Sequence, residues 1–160
     1  MLEPTPVRAV LRLTSWSNTF ANSELPARVG MTVPGAVRVL CVAPGEWLFI
    51  SHEKDEKPSI AGRLESGPLK GNAVLVDITD GIAAFELQGP AVRDLLAQGC
   101  GLDFHPRRFT PGHCARTRFA QIAVLIDCLD ELRFALYVSR SYAHYLQSWF
   151  VDASATARVL

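Results

Sequence analysis

AVLVDITDGIAAFELQGPAVRDLLAQGCG, residues 73–101, holds two strand patterns and a helix pattern in succession. Val74, Leu75, Val76 and Ile78 form the β-rich apolar run of a strand covered on one or both faces. Asp80-Gly81 then reads as a hairpin turn, because Gly accepts the positive φ such turns demand. Ile82–Leu87 returns as the partner strand. Gly89-Pro90 opens a helix, with Pro placed where its missing N–H costs nothing. Val92, Leu95 and Leu96 give that helix one apolar face, leaving Arg93, Asp94 and Gln98 in water. Gly99 or Gly101 is expected to end it in the left-handed region.

Outward from this ββα unit the same signals recur. Val7–Leu13 alternates as a half-buried strand, and Val37–Val42 and Trp47–Ile50 form a hairpin around Ala43-Pro44-Gly45-Glu46. A short helix is expected within Asn18–Arg28, and another around Ile60 and Leu64. Leu102–Gly112 carries Pro106 and Pro111 and reads as an irregular loop. Cys114–Phe119, Ile122–Cys128 and Leu132–Val138 read as three successive strands. Tyr142, Tyr145, Leu146, Trp149 and Phe150 fall at i, i+3, i+4, i+7 and i+8 of a last helix that packs on the sheet. Residues 153–160 read as a frayed tail. The fold class is α+β, with mixed or antiparallel sheets and interleaved ferredoxin-like β-α-β-β halves, in one domain over residues 1–160.

Composition excludes more than it identifies. With 16 Lys plus Arg against 16 Asp plus Glu, the formal charge is zero, which argues against nucleic acid or an anionic membrane as partner. No apolar run is long enough to span a bilayer, and the first residues lack the basic segment and apolar core of a signal peptide, so a cytoplasmic protein is expected. Cys41, Cys100, Cys114 and Cys128 are dispersed, with no C-x-x-C pair, and His52, His105, His113 and His144 never stand at ligand spacing. No metal site is expected.

Catalytic patterns are equally sparse. There is no phosphate loop and no nucleophile elbow. Asp77 with Asp80, and Asp127 with Asp130, flank turns, where Asp is favoured for its side-chain bond to nearby N–H groups. No catalytic residue is assigned. Arg107 and Arg108 in the proline-bound loop, with Arg116 and Arg118 on the next strand, are the most unusual cluster. Together with His105 and Phe109 they are the expected partner-contact residues, set against the plainer reading of a solvated, Arg-covered sheet face.

A linked set of motifs carries a family resemblance. It comprises Asp77, Gly89-Pro90-Ala91 with Arg93-Asp94, Gly99-Cys100-Gly101-Leu102-Asp103, His105-Pro106-Arg107, Phe109, Pro111-Gly112 and Cys114-Ala115-Arg116-Thr117. Pro44-Gly45-Glu46-Trp47-Leu48 and the Tyr137–Tyr142 junction add to it. From about Val37 to Ala153 the chain resembles the gamma-subunit family of heterotetrameric sarcosine oxidase. The resemblance implies a fold similar to the folate-binding domain of aminomethyltransferases. It implies a non-catalytic, cofactor-free structural subunit whose larger alpha-, beta- and delta-type partners carry the flavins, NAD and tetrahydrofolate and oxidise sarcosine or a related N-methyl amino acid. The alternative is a stand-alone folate-binding protein of the aminomethyltransferase type. That family's acidic residue, by placement near Ala120–Leu125, has no counterpart here.

Overall fold

The computed structural model describes residues 2–16, 25–53, 60–62 and 71–157. Its strands are β1 (Leu2–Pro4), β2 (Ala9–Ser15), β3 (Thr32–Val33), β4 (Val37–Ala43), β5 (Glu46–Ser51), β6 (Ala73–Asp77), β7 (Ile82–Gln88), β8 (Cys114–Phe119), β9 (Ile122–Asp130) and β10 (Arg133–Ser139). Helices α1 (Val92–Gly99) and α2 (Ala143–Ala157) follow β7 and β10. Among the described residues every strand pairing is antiparallel, and the class is α+β as read from the sequence. The chain divides into two compact units, Pro6–Asp80 and Met1–Thr5 with Gly81–Leu160.

The Pro6–Asp80 unit is a sheet of order β3-β4-β5-β2-β6. Leu11, Leu13, Val39, Cys41, Trp47, Phe49 and Ile60 form its core, with Ala73 and Leu75 of β6 packed against them. The β4–β5 hairpin is as expected. Gly45 has φ +71°, and a Cβ there would overlap the Ser15 carbonyl oxygen, so this turn requires glycine. The Trp47 indole N–H donates to the Pro26 carbonyl at 2.9 Å, which satisfies the polar end of a buried ring. Residues 25–28 are not helical, and the rest of the expected Asn18–Arg28 helix lies outside the described residues; so does Leu64, although residues 60–62 are helical.

The second unit is a sheet of order β1-β7-β10-β9-β8 with α1 and α2 against one face. Phe85 and Leu87 of β7, Phe119 of β8, Val124, Ile126 and Cys128 of β9 and Phe134, Leu136 and Val138 of β10 line that face. Val92 and Leu96 of α1 and Leu146 and Phe150 of α2 close over it.

The opening stretch folds differently from its reading in one respect. Both strands form, but β6 pairs with β2 and β7 pairs with β1 and β10, so they are not a hairpin. Thr79–Gly81 is a single 3-10 turn. The Asp77 carboxylate accepts the Thr79 N–H at 2.9 Å and its hydroxyl at 2.5 Å, while Thr79 Oγ1 accepts the Val10 N–H at 2.9 Å. That relay ends β6 against β2 and sends the chain into the other sheet.

The helix signals also shift. Pro90 sits in a turn before α1, whose N-cap is Ala91, and Cys100 at the C-cap is extended. Neither Gly99 nor Gly101 is left-handed. Gly99 is needed instead for proximity, since a Cβ there would stand 2.7 Å from Cε1 and Cε2 of Phe119. In α2 the buried stripe is Leu146 and Phe150 with Trp149 beside them; Tyr142 and Tyr145 remain 48% and 44% exposed. Tyr142 lies in the preceding 3-10 turn, Arg140–Tyr142, off the helix phase. The helix continues through Ala157, past the point where fraying was expected.

Candidate partner-docking site

Leu102–Gly112 lacks a ladder of its own, so its shape comes from side-chain caps. Asp103 Oδ1 accepts the His105 N–H at 2.9 Å, and the His105 carbonyl accepts the N–H groups of Arg108 and Phe109 at 2.8 and 3.0 Å. Nδ1 of His105 accepts the Arg107 N–H at 3.2 Å. This single turn leaves His105, Arg107 and Arg108 exposed. Phe109 is different. It is 5% exposed and turned into the core, stacked on Phe134 at 6.2 Å and edge-on to Phe104 at 5.7 Å. Its expected place on the contact surface is therefore corrected: the proline-bounded loop turns this ring inward to bury its apolar area.

Arg116 and Arg118 share the exposed face of β8, an edge strand of the sheet. The Arg118 guanidinium donates to the Gln121 carbonyl and Oε1 at 3.1 and 3.3 Å across the β8–β9 turn. Ala120 and Gln121 both have positive φ, 46° and 73°, the backbone of a type I′ hairpin turn built without glycine. It is held by the Ala120 N–H donating to the Gly99 carbonyl and by the Tyr145 hydroxyl donating to the Ala120 carbonyl, both at 2.8 Å. Thus Arg118 belongs to the C-terminal end of α1, whereas the loop arginines belong to its N-terminal end. Over the six steps from Arg93 to Gly99 that is about 9 Å of helix axis. Arg118 and the loop arginines therefore stand at opposite ends of α1.

The residue that sequence reasoning missed is Arg93. Expected on the wet face of α1, it is half-buried, with its guanidinium turned inward. It donates to the carbonyls of Phe104 at 2.6 Å, Phe109 at 2.8 Å and Glu131 at 3.0 Å, and lies 4.9 Å from the centroid of the Phe134 ring. One signal was available. A cation in a helix's first turn opposes the macrodipole, so it needs another partner to justify the position.

The remaining candidates resolve as structure. Asp127 does not flank a turn; it is inside β9, fully buried, opposite Cys114 and Ala135. Asp130 Oδ1 accepts the Glu131 N–H. Glu86 pairs with Arg133 at 3.5 Å on a partly exposed face, an ion pair worth little. All four cysteines are buried, and burial pushes the Cys128 thiol up to about 11 despite the opposing Arg93 charge. Among the described residues no group of three or more His, Cys, Asp or Glu is placed to hold a metal. Ala120–Leu125, where the aminomethyltransferase carboxylate would be placed, is the Ala120-Gln121 turn and the start of β9, and none of its residues is a carboxylate. No helix among the described residues is long and apolar enough to cross a membrane.

Comparison with known proteins agrees with this frame. The chain is 29% identical over 153 residues to the sarcosine oxidase subunit gamma of Corynebacterium sp. (strain U-96), covering 89% of this chain and 73% of the relative. It is 30% identical over 132 residues to that of Corynebacterium sp. (strain P-1), spanning 81% of this chain and 63% of the relative, less than two thirds of its length. Its fold superposes on a chain of heterotetrameric sarcosine oxidase from Corynebacterium sp. U-96, in complex with pyrrole 2-carboxylate, with TM-score 0.84 at 23% identity, covering 98% of this chain and 84% of that one. Glycine cleavage system aminomethyltransferase T from Bartonella henselae shares the fold at TM-score 0.68 and 14% identity, over 96% of this chain and 45% of its own. The profile of one family matches residues 16–156, and the chain belongs to it: the sarcosine oxidase, gamma subunit family.

Proposed function

We propose that this chain is a non-catalytic structural subunit of a multisubunit, flavin-dependent oxidase of sarcosine or a related N-methyl amino acid. The observation that carries the reading is the match of almost the whole chain to one chain of a heterotetrameric sarcosine oxidase, together with family membership over residues 16–156. Larger alpha-, beta- and delta-type subunits carry the flavins, NAD and tetrahydrofolate, and this chain binds none of them. The assembly works in the cytoplasm, away from membranes and nucleic acid, in keeping with the zero formal charge. The partner surface is the loop turn bearing His105, Arg107 and Arg108, with Arg116 and Arg118 on the β8 edge as a second contact. Phe109 supports this surface from beneath.

The test is coexpression with the larger subunits, tagging only this chain. Coloured, flavin-bearing partners should copurify with it in fixed stoichiometry, while the chain expressed alone should be colourless and inactive on N-methyl amino acids. A stoichiometric flavin spectrum or turnover by the isolated chain would overturn the reading. Replacing His105, Arg107 and Arg108 by Ala should slow association and flatten its dependence on salt, as removal of rim charges does.

A further inference from the structure

We infer that Arg93 is an internal clamp that sets the 102–112 loop in its docking conformation before a partner arrives, so that His105, Arg107 and Arg108 meet an acidic protein surface already in place. The inference rests on the reading that this loop is a partner surface, and adds what holds it ready.

The geometry is specific to arginine. One planar guanidinium donates to carbonyls on both sides of the turn, those of Phe104 and Phe109, and to the Glu131 carbonyl of the β9–β10 connection, while packing over the Phe134 ring. Those acceptors are neutral backbone oxygens, so the cation ties segments together instead of neutralising an acid. A lysine at this position is a point charge without the fork, and its one nitrogen cannot stand at both the Nε position that reaches Glu131 and the Nη1 position that reaches Phe104 and Phe109. Phe104, Phe109 and Phe134 pack together on the inner side of the clamp. Outside, Pro106 and Pro111 restrict the backbone, and Thr110 closes the loop's end through its hydroxyl, 2.7 Å from His113 Nδ1. A loop ordered in this way gives up little conformational freedom on binding, which favours a slow dissociation rate. The inward carbonyls face Arg93 and the arginines face outward, so holding the turn and presenting its charge are one arrangement.

The experiment uses the full chain with its coexpressed larger subunits and two variants that keep every outward charge, Arg93→Lys and Pro106→Gly. In the isolated full-length chain, hydrogen exchange at the Arg108 and Phe109 amides, both bonded to the His105 carbonyl, should quicken about tenfold in each variant, with the β9 and β10 amides unchanged. In the complex, each variant should dissociate about tenfold faster while the salt dependence of association stays as in wild type. A purely structural role for Arg93 would not produce that split. Loop amides as protected as in wild type overturn the clamp, and a loosened loop with an unchanged dissociation rate overturns its part in docking. If Arg93→Lys does not fold, Pro106→Gly, which leaves the core untouched, decides the second point alone. The triple Ala variant of His105, Arg107 and Arg108 separates the two readings. Wild-type association from that variant removes the partner surface, while the exchange measurement still reports the clamp.

Discussion

Gly99→Ala tests the packing at the C-terminal end of α1. Alanine is the better helix former by about 0.8–1 kcal/mol, and Gly99 is helical with no positive φ, so local propensity alone predicts stabilisation. Tertiary packing predicts the opposite. The new methyl would stand 2.7 Å from Cε1 and Cε2 of Phe119, and that ring has nowhere to go: it is fully buried, edge-on to Trp149 at 4.8 Å and stacked on Phe150 at 5.1 Å. Overpacking costs about 1–3 kcal/mol, and a ring held this way puts the cost in the upper part, about 2–3; propensity returns up to about 1, leaving a net loss of roughly 1–2 kcal/mol. At roughly 2–4 °C per kcal/mol for a chain of this size, the melting temperature should fall by about 2–8 °C. Equilibrium denaturation of Gly99→Ala, Phe119→Leu and the double variant measures it. The smaller Leu makes room for the methyl, so the double variant should lose less stability than the two single losses summed. An alanine variant as stable as wild type, or a strictly additive cycle, would refute the contact.

Two further predictions concern single features. Replacing Ala120-Gln121 by Asn-Gly supplies the residues a type I′ turn favours; the hairpin should gain about 1 kcal/mol in chemical denaturation, and a loss would mean the positive φ values are not strained. Cys128, raised to about 11 from an ordinary 9.0 by burial, holds its proton more tightly folded than unfolded. Its contribution to stability is therefore complete below pH 9 and lost as pH rises from 9 to about 11. A pH titration of stability should show a steeper alkaline decline in wild type than in Cys128→Ala, and matching slopes would count against the shift.

Most of the secondary structure was legible in the chain because it depends on local patterns. Val37–Val42, Trp47–Ile50, Cys114–Phe119 and Ile122–Cys128 alternate or run apolar over strand length, and each is a strand in the structure. The linked motifs around Gly89-Pro90 and His105-Pro106 pointed to the family as well. Pairing was not legible. Thr79-Asp80-Gly81 suits a hairpin equally with the 3-10 turn that forms, and the difference lies in the Val10 N–H, 69 residues away, bonding Thr79 Oγ1. The loop at 102–112 was readable as irregular, but which of its side chains face outward was not. Phe109 turned inward because Phe104 and Phe134 are there to receive it. Arg93 looked like solvent-facing charge because its acceptors are backbone carbonyls, which every residue has and no sequence pattern marks. Where strands and helices form follows from near-neighbour periodicity, which the chain carries in its order of residues. Which strands pair, and which arginine works from within, depend on groups brought together from distant positions, so both emerge only in the folded chain.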